Sequence, residues 1–171
     1  LTVIYVLDRS LSVPEPQRKA MIEYVNRSIE DRKGQDDLVG VIAFGREART
    51  EAPPAKVELH LPAALETSVD PQYTNLAEAL RLAQASFPED SARRIVIVSD
   101  GNSNLGDVYA EARQAAEQGI GVDVVPITYR APGDVLVEKV SLPAIARRGE
   151  PFQVQVLRNN TRILTQTGLE K

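Results

Sequence analysis

The chain alternates short segments that are apolar at every position with longer ones that are apolar at every third or fourth. Residues 3–7 (VIYVL), 38–45 (LVGVIAFG) and 95–98 (IVIV, inside a strand over 94–99) carry no charge on either face. Such runs predict strands covered on both sides, as at the centre of a parallel sheet. Between them, Ala20, Met21, Tyr24, Val25, Ser28 and Ile29 mark a helical stripe over 16–32 that Gly34 ends. Leu76, Ala79, Leu80, Ala83 and Phe87 mark a second helix, opened by Thr74 or Asn75 as cap and stopped by Pro88. A third, over 107–118, buries Val108, Ala112, Ala115 and Ala116; Gly119 closes it, and a fifth strand runs over 120–127. Residues 56–61 alternate strictly, with Val57, Leu59 and Leu61 opposite Lys56, Glu58 and His60, which predicts a half-exposed edge strand after a proline-bearing loop.

Strands alternating with helices specify an α/β fold, a doubly wound, mainly parallel open sheet with helices on both faces and right-handed crossovers. Val3, Ile4, Val6, Val41, Ile42, Ile95, Ile97 and Val124 form its expected core. From Asp134 the period drops to two: VLVEKVSLP, a polar turn IARRGE, then PFQVQV, in which Phe152, Val154 and Val156 alternate with Gln153 and Gln155. This is β-ribbon, and it divides the chain into 1–133 and 134–171. A two-stranded ribbon is marginal alone in water, so 135–156 must pack on the main sheet or pair with another chain, for instance as a dimer.

Chemistry concentrates where two apolar runs stop. Asp8, Ser10 and Ser12 follow the first run at alternate positions, so an extended chain points three oxygens the same way. Asp100 ends the run IVIVSD, and Thr74 precedes the second helix. Each residue has an ordinary reading: Ser12 with Glu15 as a capping box, Thr74 as a helix cap, Asp100 as a turn residue. Together they offer two carboxylates and three hydroxyls, hard donors that suit Mg²⁺ or Mn²⁺.

Asp8, Ser10, Ser12, Thr74 and Asp100 in this order resemble the metal-ion-dependent adhesion site of von Willebrand factor type A domains, D-x-S-x-S followed by a lone Thr and a later strand-end Asp. Arg9 and Leu11 stand where that pattern commonly has small residues. The resemblance implies a Rossmann-like sheet of order 3-2-1-4-5, its third strand antiparallel at the edge, with Asp8 and Asp100 in the crevice where the strand order reverses. It further implies direct ligation by Ser10 and Ser12, while Thr74 and the two aspartates exchange between direct and water-bridged contact. The implied function is a noncatalytic module whose cation recruits an Asp or Glu carboxylate of a partner protein. The tail resembles the opening strands of an immunoglobulin-like sandwich. Bacterial envelope proteins carry such a module after a type A domain, which implies an extracytoplasmic, membrane-anchored parent.

Composition removes several competitors. The absence of cysteine excludes thiolate metal sites and disulfides. Twenty basic against 24 acidic residues give a net charge of −4, which leaves no basic surplus for nucleic acid. No segment approaches the roughly 18 apolar residues of a membrane span, so direct membrane insertion is not expected. The chain starts within a strand and its single Met is Met21, as an excised piece would. The lone His60 falls on a polar face, and neither a G-x-S-x-G elbow nor a phosphate-cradling loop occurs. A haloacid-dehalogenase-type phosphotransferase could use Asp8 as nucleophile beside Mg²⁺. Such enzymes carry D-x-D, where this chain has Ser10, and need a lysine at a comparable strand end. A scaffold whose metal site is vestigial is the third alternative. Asn26-Arg27-Ser28 and Asn159-Asn160-Thr161 match glycosylation sequons by chance.

Overall fold

A computed structural model describes residues 1–31, 36–56 and 59–128 in full, and 137–141, 152–158 and 161–167 as backbone strands. The chain forms two units, Leu1–Tyr129 and Arg130–Lys171. In the first, β1 (Thr2–Asp8), β2 (Leu38–Phe44), β3 (Ala48–Lys56), β4 (Arg93–Ser99) and β5 (Gly121–Pro126) form one sheet of order β3-β2-β1-β4-β5. Every pairing is parallel except β2 with β3. Three helices, α1 (Glu15–Glu30), α2 (Leu76–Ala85) and α3 (Val108–Glu117), cover it.

Because strand side chains alternate, β1 serves two cores at once. Val3, Tyr5 and Leu7 join Met21, Ile22, Val25 and Ile29 of α1, whereas Ile4 and Val6 join Leu76, Ala79, Leu80 and Ala83 of α2. All seven residues of β1 are buried, and at roughly 25 cal/mol per Å² of apolar surface this strand anchors both layers. Asp8 closes it on the α2 parity, so the burial that stabilises the strand also encloses its terminal carboxylate.

Several expectations are corrected. The edge strand is Ala48–Lys56, within the stretch expected to be a loop; residues 59–61 lie outside any strand, and 57–58 lie outside the described residues. Prolines made 48–56 look like a loop, but an edge strand has outward positions that need no N–H. Gly40 lets β2 approach Pro54, since a Cβ there would lie 3.0 Å from the proline ring, and the pairing shifts register on both sides of Val41. In α1 the buried stripe includes Ile22, while Ala20 and Tyr24 are exposed. Asn26 is clasped to Leu61, its Nδ2 donating to the carbonyl and its Oδ1 accepting from the amide, at 3.0 and 2.8 Å. An amide so engaged is not a glycan acceptor. Val124, expected in the core, is 62% exposed, because β5 is the last strand and has a neighbour on one side only. In α3, Ala115 and Glu111 are the buried residues and Ala116 faces out; Arg81 of α2 donates to Glu111 across the two helices. The first helix ends at Glu30 with Asp31 as its C-cap, short of the expected 32; Gly34 itself lies outside the described residues.

The second unit is a three-stranded antiparallel sheet of order β6-β7-β8, formed by Val137–Ser141, Phe152–Arg158 and Thr161–Thr167. The third strand was not expected: its Thr-rich alternation, TRILTQT, is a weaker apolar signal than PFQVQV. The turn 145–150 and the sequon at Asn159 lie outside the described residues.

Gly45 is the most closely approached of the described glycines, since a Cβ there would lie 2.3 Å from the Asp70 carbonyl oxygen. Gly45→Ala is expected to cost about 1–3 kcal/mol, the range of overpacking strain. Urea denaturation measures it, and an unchanged midpoint would refute the close approach.

Candidate functional site

The crevice at the carboxyl ends of β1 and β4 is built by four chain segments. Leaving β1, the Ser10 N–H donates to Asp8 Oδ1 at 2.9 Å, and the Ser10 and Ser12 hydroxyls share a 2.7 Å hydrogen bond. Arg18 of α1 reaches back with Nε to the Val13 carbonyl and Nη2 to that of Ser10, both at 2.9 Å, fixing this turn from below. The capping box expected of Ser12 and Glu15 is not formed: Pro14 is the N-cap and no side chain caps the helix. Ser12 Oγ is instead hydrogen-bonded to Ser10.

The second segment carries Thr74. Its neighbour Asn75 caps α2, accepting from the Glu78 N–H at 3.2 Å and donating Nδ2 to Glu78 Oε2 at 3.0 Å. The Thr74 side chain is therefore not needed as the cap, and the residue is 4% exposed. Its backbone is locked to the third segment, 101–105. The Thr74 N–H donates to Asn104 Oδ1 at 2.9 Å, while the Thr74 carbonyl accepts from the amides of Asn104 and Leu105 and from Ser103 Oγ. The fourth segment, the end of β2, holds the Thr74 loop through Asn75 N–H to Gly45 O at 2.7 Å and Arg46 N–H to Asp70 O at 2.8 Å. Ser10, Ser12 and Thr74 line one cleft of about 340 Å³ with Leu11, Pro71, Gln72 and residues 102–104.

Asp8 ends β1 and Asp100 follows the adjacent strand β4. Asp8 is fully buried, and Ser99 Oγ donates to its Oδ2 at 2.6 Å while accepting from the Gly101 N–H at 3.1 Å. Burial pushes the Asp8 carboxyl above its ordinary 3.8; hydrogen bonds from Ser10 and Ser99 oppose the shift, and Asp100 adds to it. Asp100 does make the expected turn, Oδ1 accepting from the Asn102 N–H at 3.0 Å, yet its Oδ2 is buried with no hydrogen-bond partner. Ser10, Ser12 and Thr74 thus share one cleft, while Asp8 and Asp100 stand at the carboxyl ends of the adjacent strands β1 and β4 and do not line it. Sequence reasoning missed Ser99, Asn104 and Arg18, although a hydroxyl closing an otherwise apolar run, as in IVIVS, is a signal for the first.

Hard oxygens alone fit Mg²⁺ or Mn²⁺, and the orphaned Asp100 oxygen is a position that a bound cation would satisfy. Among the described residues no three His, Cys, Asp or Glu gather into a cluster. Any such centre therefore relies on two carboxylates supplemented by hydroxyls.

The pH dependence follows from Asp8. A carboxyl whose folded pKa is raised holds its proton better in the native state, so stability falls as pH rises from near 3.8 through the raised value, and the full penalty persists above it. Without metal, Asp8→Asn is expected to be more stable than the parent at pH 7, the difference closing toward pH 4. Chelator-treated melts across that range measure it, and a parent more stable at pH 7 would contradict the burial penalty.

Comparison with known proteins agrees with this architecture. The family model described as von Willebrand factor type A domain matches residues 3–102. Among solved structures, the conserved hypothetical protein BatB of Bacteroides thetaiotaomicron is 29% identical with a TM-score of 0.60, over 74% of this chain and 66% of its own. An aerotolerance-related membrane protein of Bacteroides fragilis is 23% identical with a TM-score of 0.56, over 97% and 81%. Proximal thread matrix protein 1 of the mussel byssus, in a form described as having a zinc-occupied MIDAS motif, shares the fold at 16% identity and a TM-score of 0.54, over 72% and 37%. Comparison with curated protein sequences gave no significant match. Among the described residues no helix is long and apolar enough to cross a membrane. With the family model covering most of the first unit and the sheet order β3-β2-β1-β4-β5, this chain belongs to the von Willebrand factor type A domain family.

Proposed function

We propose that the crevice binds a divalent cation, Mg²⁺ or Mn²⁺, through Ser10, Ser12, Thr74, Asp8 and Asp100, and that the bound cation recruits an acidic side chain of a partner protein. The observation that carries this reading is the buried, unpartnered Oδ2 of Asp100, at the end of the strand adjacent to that of the fully buried Asp8. Two repelling carboxylates in a desolvated crevice are costly to a fold unless a counter-charge offsets them. When bound, the cation supplies that charge and, with only two negative ligands, stays electrophilic toward one more carboxylate.

The chain's own groups are arranged for this task. Ser99 and the Ser10 amide hold Asp8 with its two oxygens oriented. Arg18 and the Thr74–Asn104 bridge fix the loops, so little ordering remains to be done on binding. The role is binding and not turnover: the second Asp that a dehalogenase-type phosphotransferase needs is replaced by Ser10, whose hydroxyl is engaged with Ser12. The module is part of a membrane-anchored envelope protein, a reading supported by the likeness to BatB and to the Bacteroides fragilis membrane protein.

Titration calorimetry with Mg²⁺ and Mn²⁺ tests the proposal. The parent is expected to bind one ion in the micromolar to millimolar range, and Asp8→Ala to bind none while staying folded. Absence of binding at millimolar metal, or unchanged binding by Asp8→Ala, would refute it. Ser99→Ala, which removes an orienting partner and no ligand, is expected to weaken the ion about 10-fold or more, as loss of an outer-shell hydrogen bond does.

A further inference from the structure

Outside the five candidate ligands, two arginines stand on the loops around the crevice with no ion pair among the described residues: Arg9, whose Nη1 is buried, and Arg46. Arg46 is exposed, two residues beyond Phe44, which pairs directly with Asp8 in the sheet. Its guanidinium lies over the Tyr73 ring, 4.4 Å from the centroid. Its neighbour Glu47 pairs with Arg49 at 3.7 Å, and among the described residues no carboxylate lies within ion-pair distance of Arg46. Both ends of this stacked pair are fixed by backbone. The Arg46 N–H donates to the Asp70 carbonyl, and Tyr73 sits in the loop whose Pro71, Gln72 and Thr74 line the cleft.

Stacking on an aromatic face orders a guanidinium while leaving its edge N–H groups free to donate. An ordered, unpaired arginine costs little to organise on binding and makes short, charge-assisted bonds to a carboxylate. We infer that Arg46 is a second anion-recognition point, so that the partner segment carries two acidic side chains, one for the cation and one for Arg46. This rests on the functional reading above and adds to it the chemistry of the partner. It also fits the charge at the site: two aspartates do no more than neutralise a divalent ion, so the Arg46 charge is left for a second acid of the partner to meet.

Synthetic acetylated peptides provide the probe. One series carries a single Asp in a Gly-Ser background, and the other adds a Glu at one to four intervening residues, since the chain advances about 3.3 Å per residue when extended. Binding is read on a sensor surface in Mg²⁺ and again in chelator. The parent is expected to bind the single-Asp peptide only with Mg²⁺ and at least one two-acid peptide about 10-fold more tightly. Arg46→Gln is expected to lose that gain while keeping both the single-Asp binding and its calorimetric affinity for Mg²⁺. A gain that persists in Arg46→Gln, or no gain at any spacing while the single-Asp peptide binds, overturns the inference alone. Failure of every peptide to bind in Mg²⁺ overturns the functional reading and this inference with it.

Discussion

A carboxylate with no access to water, at the end of the most buried strand in the sheet, is the constraint around which the first unit is arranged. Asp8 cannot be moved outward without unpairing β1 from β2 and β4, and it cannot be left unsupported without a large desolvation cost. The Ser10 amide, the Ser99 hydroxyl and the turn held by Arg18 are the local answer. They orient the carboxylate with neutral donors and no ion pair among the described residues, which is the arrangement the proposed function starts from.

The loops around Asp8 divide the labour between backbone and side chain. Main-chain bonds tie the Thr74 loop to the end of β2 and to residues 103–105, and Asn75 takes the capping of α2 upon itself. The hydroxyls of Ser10 and Ser12 bond to each other and not to a helix terminus. Where a sequence offers two neighbouring capping residues, as Thr74 and Asn75 do, the one that caps leaves the other available for a ligand.

The β1, β2 and β4 strands and both faces of the core were legible in the sequence, because uninterrupted apolar runs have few alternatives. Sheet order and the antiparallel edge came from the family resemblance, not from the pattern. The strand Ala48–Lys56 was hidden by Pro53 and Pro54, since local propensity does not say that a segment will lie at an edge where a missing N–H is harmless. Val124 was misplaced for a related reason: burial of a strand depends on having neighbours on both sides, and sequence does not mark which strand is last. Of the proposed site, the five oxygen-bearing residues come from type, order and the family resemblance. Asn104 was not legible, because its role rests on a contact with Thr74 30 positions away; Ser99 showed only as a hydroxyl closing an apolar run, and Arg18 showed nothing, because a turn that an arginine folds back on has no pattern of its own.

The hydrogen bond between Ser99 and Asp8 spans 91 positions, and the parallel pairing of β1 with β4 has a similar reach. Closing so long a loop is slow compared with forming α1 or α2. The crevice exists only once these distant segments have met, and a helix formed locally does not contain it. On the proposed function, a cation would therefore act on chains whose sheet is complete, and its occupancy would report a finished fold instead of seeding one.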